Sequence, residues 1–177
     1  MIFESTALPG VIRVVQTPNR DARGAFSRLY CPEEFAGAGI AFSSTQINLS
    51  RNPAMHTLRG LHWQDAPHAE AKFIRITQGR VFEVVVDIRE GSATRYQHIT
   101  LELDAEKGDG LFIPEGFAHG FLTLEAKTDM LYQMGRPYTP GHARGLRWDD
   151  PMLAIHWPAQ PILINEADAS WPLIGGG

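Results

Sequence analysis

Apolar and polar residues alternate in short runs along much of the chain, and glycine, proline and acidic residues separate the runs. Val11–Val15, Phe42–Asn48, Lys72–Ile76, Arg80–Ile88, His98–Leu103, Leu111–Ile113, His119–Leu124 and Met130–Gln133 carry the pattern. Residues two apart in a strand share a face, so each run predicts a strand with one face on a core. The clearest case is Arg80–Ile88, where Phe82, Val84, Val86 and Ile88 fall on one side and Glu83 and Asp87 on the other. Gly79, Gly91, Gly108, Gly110 and Gly116 lie between runs and supply turns. Many short strands at this spacing predict an all-β sandwich or barrel. One short helix is expected from Cys31 to about Gly39, with Pro32 at its first position, Glu33 and Glu34 at its positive end and Gly37 or Gly39 as its stop. The proline-rich stretch from Pro137 to Pro161, which carries Trp148 and Trp157, predicts an ordered wrap around the barrel. The closing Gly175, Gly176 and Gly177 are expected to be mobile.

Composition narrows the functional classes. A length of 177 residues suits one domain with a continuous core. With 44% hydrophobic residues, 20% charged residues and a net charge of −4, the chain has no polybasic field to attract nucleic acid or an anionic membrane. An anionic ligand must then be held by a few local cations. No run approaches the roughly 18 consecutive apolar residues of a membrane span. Cys31 is the lone cysteine, and Met1–Ser5 lacks the basic and apolar regions of a signal peptide, so a cytoplasmic protein is expected.

Two segments carry candidate chemistry. Leu58–Gln64 sets His62 among Arg59 and Gln64 in a run that reads as strand, and histidine is the side chain suited to proton transfer near neutral pH. Ile113–Phe121 brings a second histidine, His119, among glycines. Together they look like the two halves of a cupin β-barrel: Gly110, Pro114, Gly116 and His119 match the second half, and Gly60, Leu61 and His62 stand where the first should be. Metal-binding cupins place two histidines two apart, plus a glutamate, in the first half. Here Gln64 occupies the second of those positions, so the ligand set is broken and no metal is expected.

A longer series of motifs points to a particular family. It comprises Asp21, Arg23, Gly24 and Phe26; Gln46, Asn48 and Ser50; Leu58–Gln64; Lys72, Arg75 and Gly79; Val86, Asp87, Arg89 and Ser92; Ile113–Phe121; Leu131 and Tyr132; and Arg144–Pro151. In this order and spacing the chain resembles the dTDP-4-dehydrorhamnose 3,5-epimerase family over nearly its whole length. The resemblance implies a metal-free, cofactor-free cupin or jelly-roll barrel with an N-terminal extension and a C-terminal wrap. It implies one epimerase domain over residues 1–177, paired as a homodimer by strands donated across the interface. Its substrate would be a nucleoside-diphosphate 4-keto-6-deoxy sugar, inverted at the carbons beside the ketone.

The chemistry explains the residue types. A C–H beside a ketone is a weak acid, so removing it near pH 7 needs a base of matched pKa and positive charge where the enolate oxygen forms. His62 suits the first role and Lys72 the second. Inversion also needs a proton donor on the opposite face, which by resemblance is Tyr132. A carboxylate behind the histidine would fix its tautomer, and by resemblance this is Asp168. His119 would add a hydrogen bond near the sugar or enolate oxygen. Arg59 and Arg23 are the expected diphosphate clamps, because a guanidinium fork matches phosphate oxygens. Phe26, Gln46 and Asn48 would line the nucleoside end, and the geometry around Tyr132 and Tyr138 would decide how many carbons are inverted.

Some positions depart from the family pattern. Arg28 stands where a glutamate toward the nucleotide is expected, Trp63 where tyrosine is usual, and Asn165 and Ala167 where serine and a cation are frequent. These departures cluster at the nucleotide end, so Arg28 becomes a candidate substrate contact in its own right. His56, His68, His98, His142 and His156 match nothing and are expected at the surface or in structural roles. The alternative readings are a monoepimerase of another nucleotide-linked keto sugar, a catalytically silent sugar-nucleotide-binding cupin, and a metal-dependent cupin.

Overall fold

In the computed structural model, which describes residues 1–175, strand follows strand with two short helices interposed; the expectation for Gly176 and Gly177 lies outside the described residues. The strands are β1 (Ile2–Ser5), β2 (Ile12–Val15), β3 (Asn19–Asp21), β4 (Gly24–Phe26), β5 (Gln46–Asn52), β6 (Leu58–Gln64), β7 (Lys72–Gln78), β8 (Arg80–Asp87), β9 (His98–Asp104), β10 (Gly110–Ile113), β11 (Phe117–Thr123), β12 (Thr128–Met134) and β13 (Ala143–Gly145). The helices are α1 (Pro32–Gly37) and α2 (Glu166–Ser170). One sheet runs β1-β2-β10-β7-β12-β5, the other β13-β6-β11-β8-β9, and β3 with β4 forms a separate hairpin. Neighbouring strands pair antiparallel, and the chain crosses repeatedly between the sheets. This is the jelly-roll arrangement of a cupin barrel. No helix is long and apolar enough to cross a membrane.

The alternation in β8 is real, but its two faces have the opposite meaning from the one expected. Val84 and Val86, with Phe82 and Ile88 beside them, pack outward under the C-terminal wrap against Leu146, Leu153, Ile155 and Trp157. The interior of the barrel receives the other parity: Val81 and Val85 join Ile74, Ile76, Leu111, Phe117, Phe121 and Met130. Glu83 and Asp87 share that parity and are fully buried. The wrap, by removing the outer face from water, turns a half-buried strand into one buried on both sides. A third cluster, with Phe35 of α1 in edge contact with Phe3, Phe73 and Phe112, closes the outer face of the other sheet.

Other boundaries also moved. The run expected at Phe42–Asn48 is a strand only from Gln46, and α1 runs Pro32–Gly37 with Ala38 as its cap. β1, the β3–β4 hairpin, β13 and α2 were not anticipated, being only three to five residues long, too short to show a period.

A register shift in the β6–β11 pair positions the site. His119 lies opposite His62, but Phe121 lies opposite Arg59, so β6 carries one residue more than its partner between these points. Simple alternation would put Arg59 and His62 on opposite faces; the bulge lets both line one cavity. Gly60 makes this possible. Its φ is +134, and a Cβ there would lie 2.5 Å from the Cα of Gly120. Gly60→Ala should therefore destabilise the fold by about 3 kcal/mol, lowering Tm by roughly 6–12 °C for a chain of this size. Calorimetry giving an unchanged Tm would show that the bulge is not required.

Candidate active site

The open end of the barrel is polar where the closed end is aliphatic. His62, His119 and Glu83 come from one sheet and Lys72, Tyr132, Asn48 and Ser50 from the other. A cavity of about 450 Å³ is lined by Asn48, His62, Glu70, Lys72, His119, Tyr132, Tyr138, Ala167, Asp168 and Trp171 among others. An adjoining space of about 240 Å³ shares His62, His119, Tyr132 and Asp168 and adds Arg59.

His62 is bound to a buried carboxylate. Its Nε2 lies 2.6 Å from Asp168 Oδ1, and Asp168 Oδ2 accepts the Gly60 backbone N–H at 3.1 Å. Asp168 comes from α2, whose N-cap Asn165 accepts the Asp168 N–H at 2.6 Å and so fixes the first turn. The preceding segment is tied to β6 by a parallel bridge between Thr57 and Leu163 and by the Leu58 N–H donated to the Leu163 carbonyl. Burial pushes the Asp168 carboxyl up, but the His62 and Gly60 hydrogen bonds outweigh it and hold the pKa below the usual carboxylate value. The carboxylate is thus ionised at neutral pH and accepts Nε2–H, which leaves Nδ1 of His62 as a free lone pair. The His62 side chain remains 40% exposed toward the cavity, while that of Asp168 is 2% exposed.

Behind the cavity lies a second histidine–carboxylate pair. His119 Nδ1 sits 2.7 Å from Glu83 Oε1, both side chains being buried. Burial drives the Glu83 pKa well up, against the pull of Lys72, and drives that of His119 well down, helped by the charges of Lys72 and His62. Burial thus works against charge on either member of the pair, which is joined through Nδ1 and leaves Nε2 as the ring nitrogen uncommitted within the pair. Lys72 is buried beside Glu70, to which it is directly bonded; burial lowers its pKa, and Glu70 and Glu83 oppose the shift. Tyr132 packs with its ring edge toward His119, centroids 5.9 Å apart. Burial, with Glu83 adding to it, pushes its phenol far above the usual value, so Tyr132 stays protonated.

The residues anticipated from sequence divide into two groups. His62, Asp168, Lys72, Tyr132, His119, Asn48, Arg59 and Tyr138 meet around one cavity. Arg59 is held by the Asn52 side chain at 2.8 Å, and Gln46 by Asn48 at 2.9 Å and by the Tyr138 N–H at 3.3 Å. Arg23, Phe26 and Arg28 are not brought to this cavity within the chain. Arg23 pairs with Asp21 on the exposed hairpin, Phe26 is 77% exposed there, and Arg28 pairs with Glu34 of α1.

Three contributors were not foreseen as such. Glu83 lies between Phe82 and Val84 on the face opposite the apolar one, and the structure makes that face the barrel interior. Glu70 and Trp171 carry no sequence signal, since neither lies in a periodic run. Gln64, where a metal-binding cupin would have its second histidine, serves a different purpose: its amide donates to the His68 and Pro137 carbonyls and accepts the Thr139 N–H, pinning the segment that carries Tyr138. Among the described residues no group of three or more His, Cys, Asp or Glu side chains is arranged to hold a metal ion. Of the unassigned histidines, His142 pairs with Asp65 and stacks near His68 at 4.2 Å.

Comparison with known proteins gives a consistent result. The family model of dTDP-4-dehydrorhamnose 3,5-epimerase matches residues 5–175. The dTDP-4-dehydrorhamnose 3,5-epimerase of Sinorhizobium fredii (strain NBRC 101917 / NGR234) is 39% identical over 173 residues, covering 97% of this chain and 89% of that protein. The crystal structure of the Bacillus anthracis str. Ames enzyme with TDP and PPi bound superposes with a TM-score of 0.94 at 35% identity, over 97% of this chain and 98% of that one. The Legionella pneumophila Philadelphia 1 epimerase in complex with dTDP-4-keto-L-rhamnose superposes with a TM-score of 0.92 at 32% identity, over 98% and 93% of the two chains.

Proposed function

The chain belongs to the dTDP-4-dehydrorhamnose 3,5-epimerase family, and from that premise we propose that His62 and Tyr132 invert C3 and C5 of dTDP-4-keto-6-deoxy-D-glucose by proton transfer through an enolate. The observation that carries this reading is one cavity holding a carboxylate-backed histidine with a free Nδ1 and a phenol that keeps its proton. His62 Nδ1 removes the proton beside the ketone, and Asp168 stabilises the imidazolium. Charge moves to the ketone oxygen, where the Lys72 ammonium and the His119 Nε2–H supply positive potential. Tyr132 then protonates the carbon from the other face. Each inversion leaves one extra proton on His62 and one missing from Tyr132, and exchange with solvent resets both. The reaction moves protons only, so the chemistry as written requires neither a cofactor nor a metal.

Arg59, at the mouth of the cavity, is the cation for the diphosphate, with Asn48, Gln46 and Tyr138 along the nucleotide. Arg23, Phe26 and Arg28 act in the same site only if a second copy brings them there. We therefore place the enzyme as a homodimer of single-domain chains, in which the β3–β4 hairpin of each copy reaches the partner. The apolar exposure of Phe26 at 77% on the hairpin, and of Ile47 at 61% and Leu49 at 46% on β5, an edge strand of its sheet, supports this pairing. The lone free cysteine suits a reducing cytoplasm.

The test is solvent exchange. Incubated with dTDP-4-keto-6-deoxy-D-glucose in D₂O, the enzyme should place deuterium at both C3 and C5, read by NMR, because each new C–H bond draws its proton from an exchangeable side chain. Deuterium at one carbon only would make the enzyme a monoepimerase, and deuterium at neither, with nucleotide still bound, would make it a binding protein.

A further inference from the structure

Trp171 follows α2 directly, three residues after Asp168 and so on the same side of its turn. Its indole lies flat against β13 at Gly145, where a Cβ would collide with the ring. Gly145 is itself the strand partner of His62, and the Trp171 ring meets His62 edge-on, 6.3 Å between centroids and 71° between planes. The indole nitrogen is buried and, among the described residues, has no hydrogen-bond partner of good geometry. A buried N–H without an acceptor is costly, and such a group beside a reacting centre calls for an account. Asp168 supplies one. Its two oxygens accept from His62 and the Gly60 N–H, and a carboxylate has about four acceptor sites.

We infer that Trp171 is a positioning residue that acts on the general base through Asp168, its indole N–H serving as a further donor to the carboxylate on the side away from His62. The inference rests on His62 being the base. Trp171 and Asp168 line the same cavity, on consecutive turns of chain at its rim. A donor on the far side of the carboxylate makes it less basic. The proton taken from the sugar then stays on His62 rather than passing to Asp168, and His62 releases it more readily to solvent between the two inversions. The close fit of Gly145 to the ring fixes the position of the indole.

The test is Trp171→Phe, which keeps an aromatic ring beside Gly145 but removes the N–H together with the pyrrole part of the indole. Freed of one donor, Asp168 would stabilise the imidazolium more strongly, so the acid limb of kcat/KM should move to higher pH by about 0.5 unit, roughly threefold in protonation at fixed pH. A merely structural loss would loosen the His62–Asp168 contact and move the limb the other way. An unmoved limb, or one shifted to lower pH, overturns the inference. Independently of turnover, the ¹⁵N–¹H indole resonance assigned by its absence in Trp171→Phe should titrate with the wild-type acid limb. In Asp168→Asn it should lose that titration. An indole signal indifferent to Asp168→Asn refutes the contact, whereas a coupled indole in a protein without epimerase activity refutes only the function assigned to His62.

Discussion

His62→Asn should lower turnover by about 10²–10⁴-fold, the usual share of a positioned general base, and should abolish deuterium incorporation at both carbons. Asparagine keeps the approximate size and one hydrogen bond to Asp168 but has no basic lone pair, so the cavity survives while proton removal does not. Nucleotide affinity should stay within a few fold, because the diphosphate is assigned to Arg59 and the base acts on the sugar. Both quantities matter: dTDP binding by calorimetry guards against misfolding, and the exchange rate reads the chemistry. A variant that retains more than about a tenth of wild-type exchange would remove His62 from the role of base, and Asp168 with it, since nothing else in the cavity is aligned by that carboxylate.

How far the sequence could be read depended on the length of each element and on what covered it. The long strands β7, β8, β9, β11 and β12 announce themselves by period, and the barrel class follows from their number. What period cannot show is which side of a strand is inside. In β8 the apolar face looked like the core face, and it is buried, but under the wrap of Leu146, Leu153 and Trp157. Glu83 therefore fell on the face opposite the apparent core, yet it lies in the barrel next to His119. The same blindness applies to the bulge at Gly60: a strict alternation through Leu58–Gln64 puts Arg59 and His62 on opposite faces, and only the pairing with Gly120 reveals that both reach the cavity. Asp168 was identified through resemblance, with no signal of its own, since α2 has five residues and no apolar stripe. Its position depends on the Asn165 cap, a contact within one turn, and on the Thr57–Leu163 bridge, which joins segments more than a hundred residues apart.

The interior of this barrel joins ordinary stability to unusual chemistry. Four ionisable side chains, Glu70, Lys72, Glu83 and His119, are buried at its open end, where isolated charges would be expensive. They are tolerated because they are paired: Lys72 with Glu70, and His119 with Glu83. The pairing also sets the function of each. Burial raises Glu83 and lowers His119, which works against charge on that pair and suits it to the donor role proposed for Nε2, whereas the His62–Asp168 pair keeps an ionised carboxylate and suits the role of base. Two histidine–carboxylate pairs opposite each other in the β6–β11 ladder thus divide into a base and a donor according to how deeply each is buried.

Tyr132→Phe should separate proton removal from inversion. His62 and Asp168 are untouched by the change, so the enolate still forms and the proton still leaves; the enolate can be reprotonated only from the side that the base occupies. Deuterium should therefore continue to enter at the carbons His62 reaches, with configuration retained, while conversion to the inverted sugar falls by about 10²-fold or more, as for loss of a general acid. The removed hydroxyl is the group whose pKa burial holds high, so at pH 7 the wild-type donor is fully protonated. Its loss should accordingly depress inversion across the neutral range without altering the acid limb set by the base. The measurement is ¹H NMR of the sugar ring in D₂O, comparing signal loss at C3 and C5 with the appearance of the inverted product. If exchange and inversion fall together, Tyr132 assists proton removal instead, and if inversion is unimpaired, the opposite-face acid is another group at the cavity, with Tyr138, 59% exposed at its rim, the next to replace.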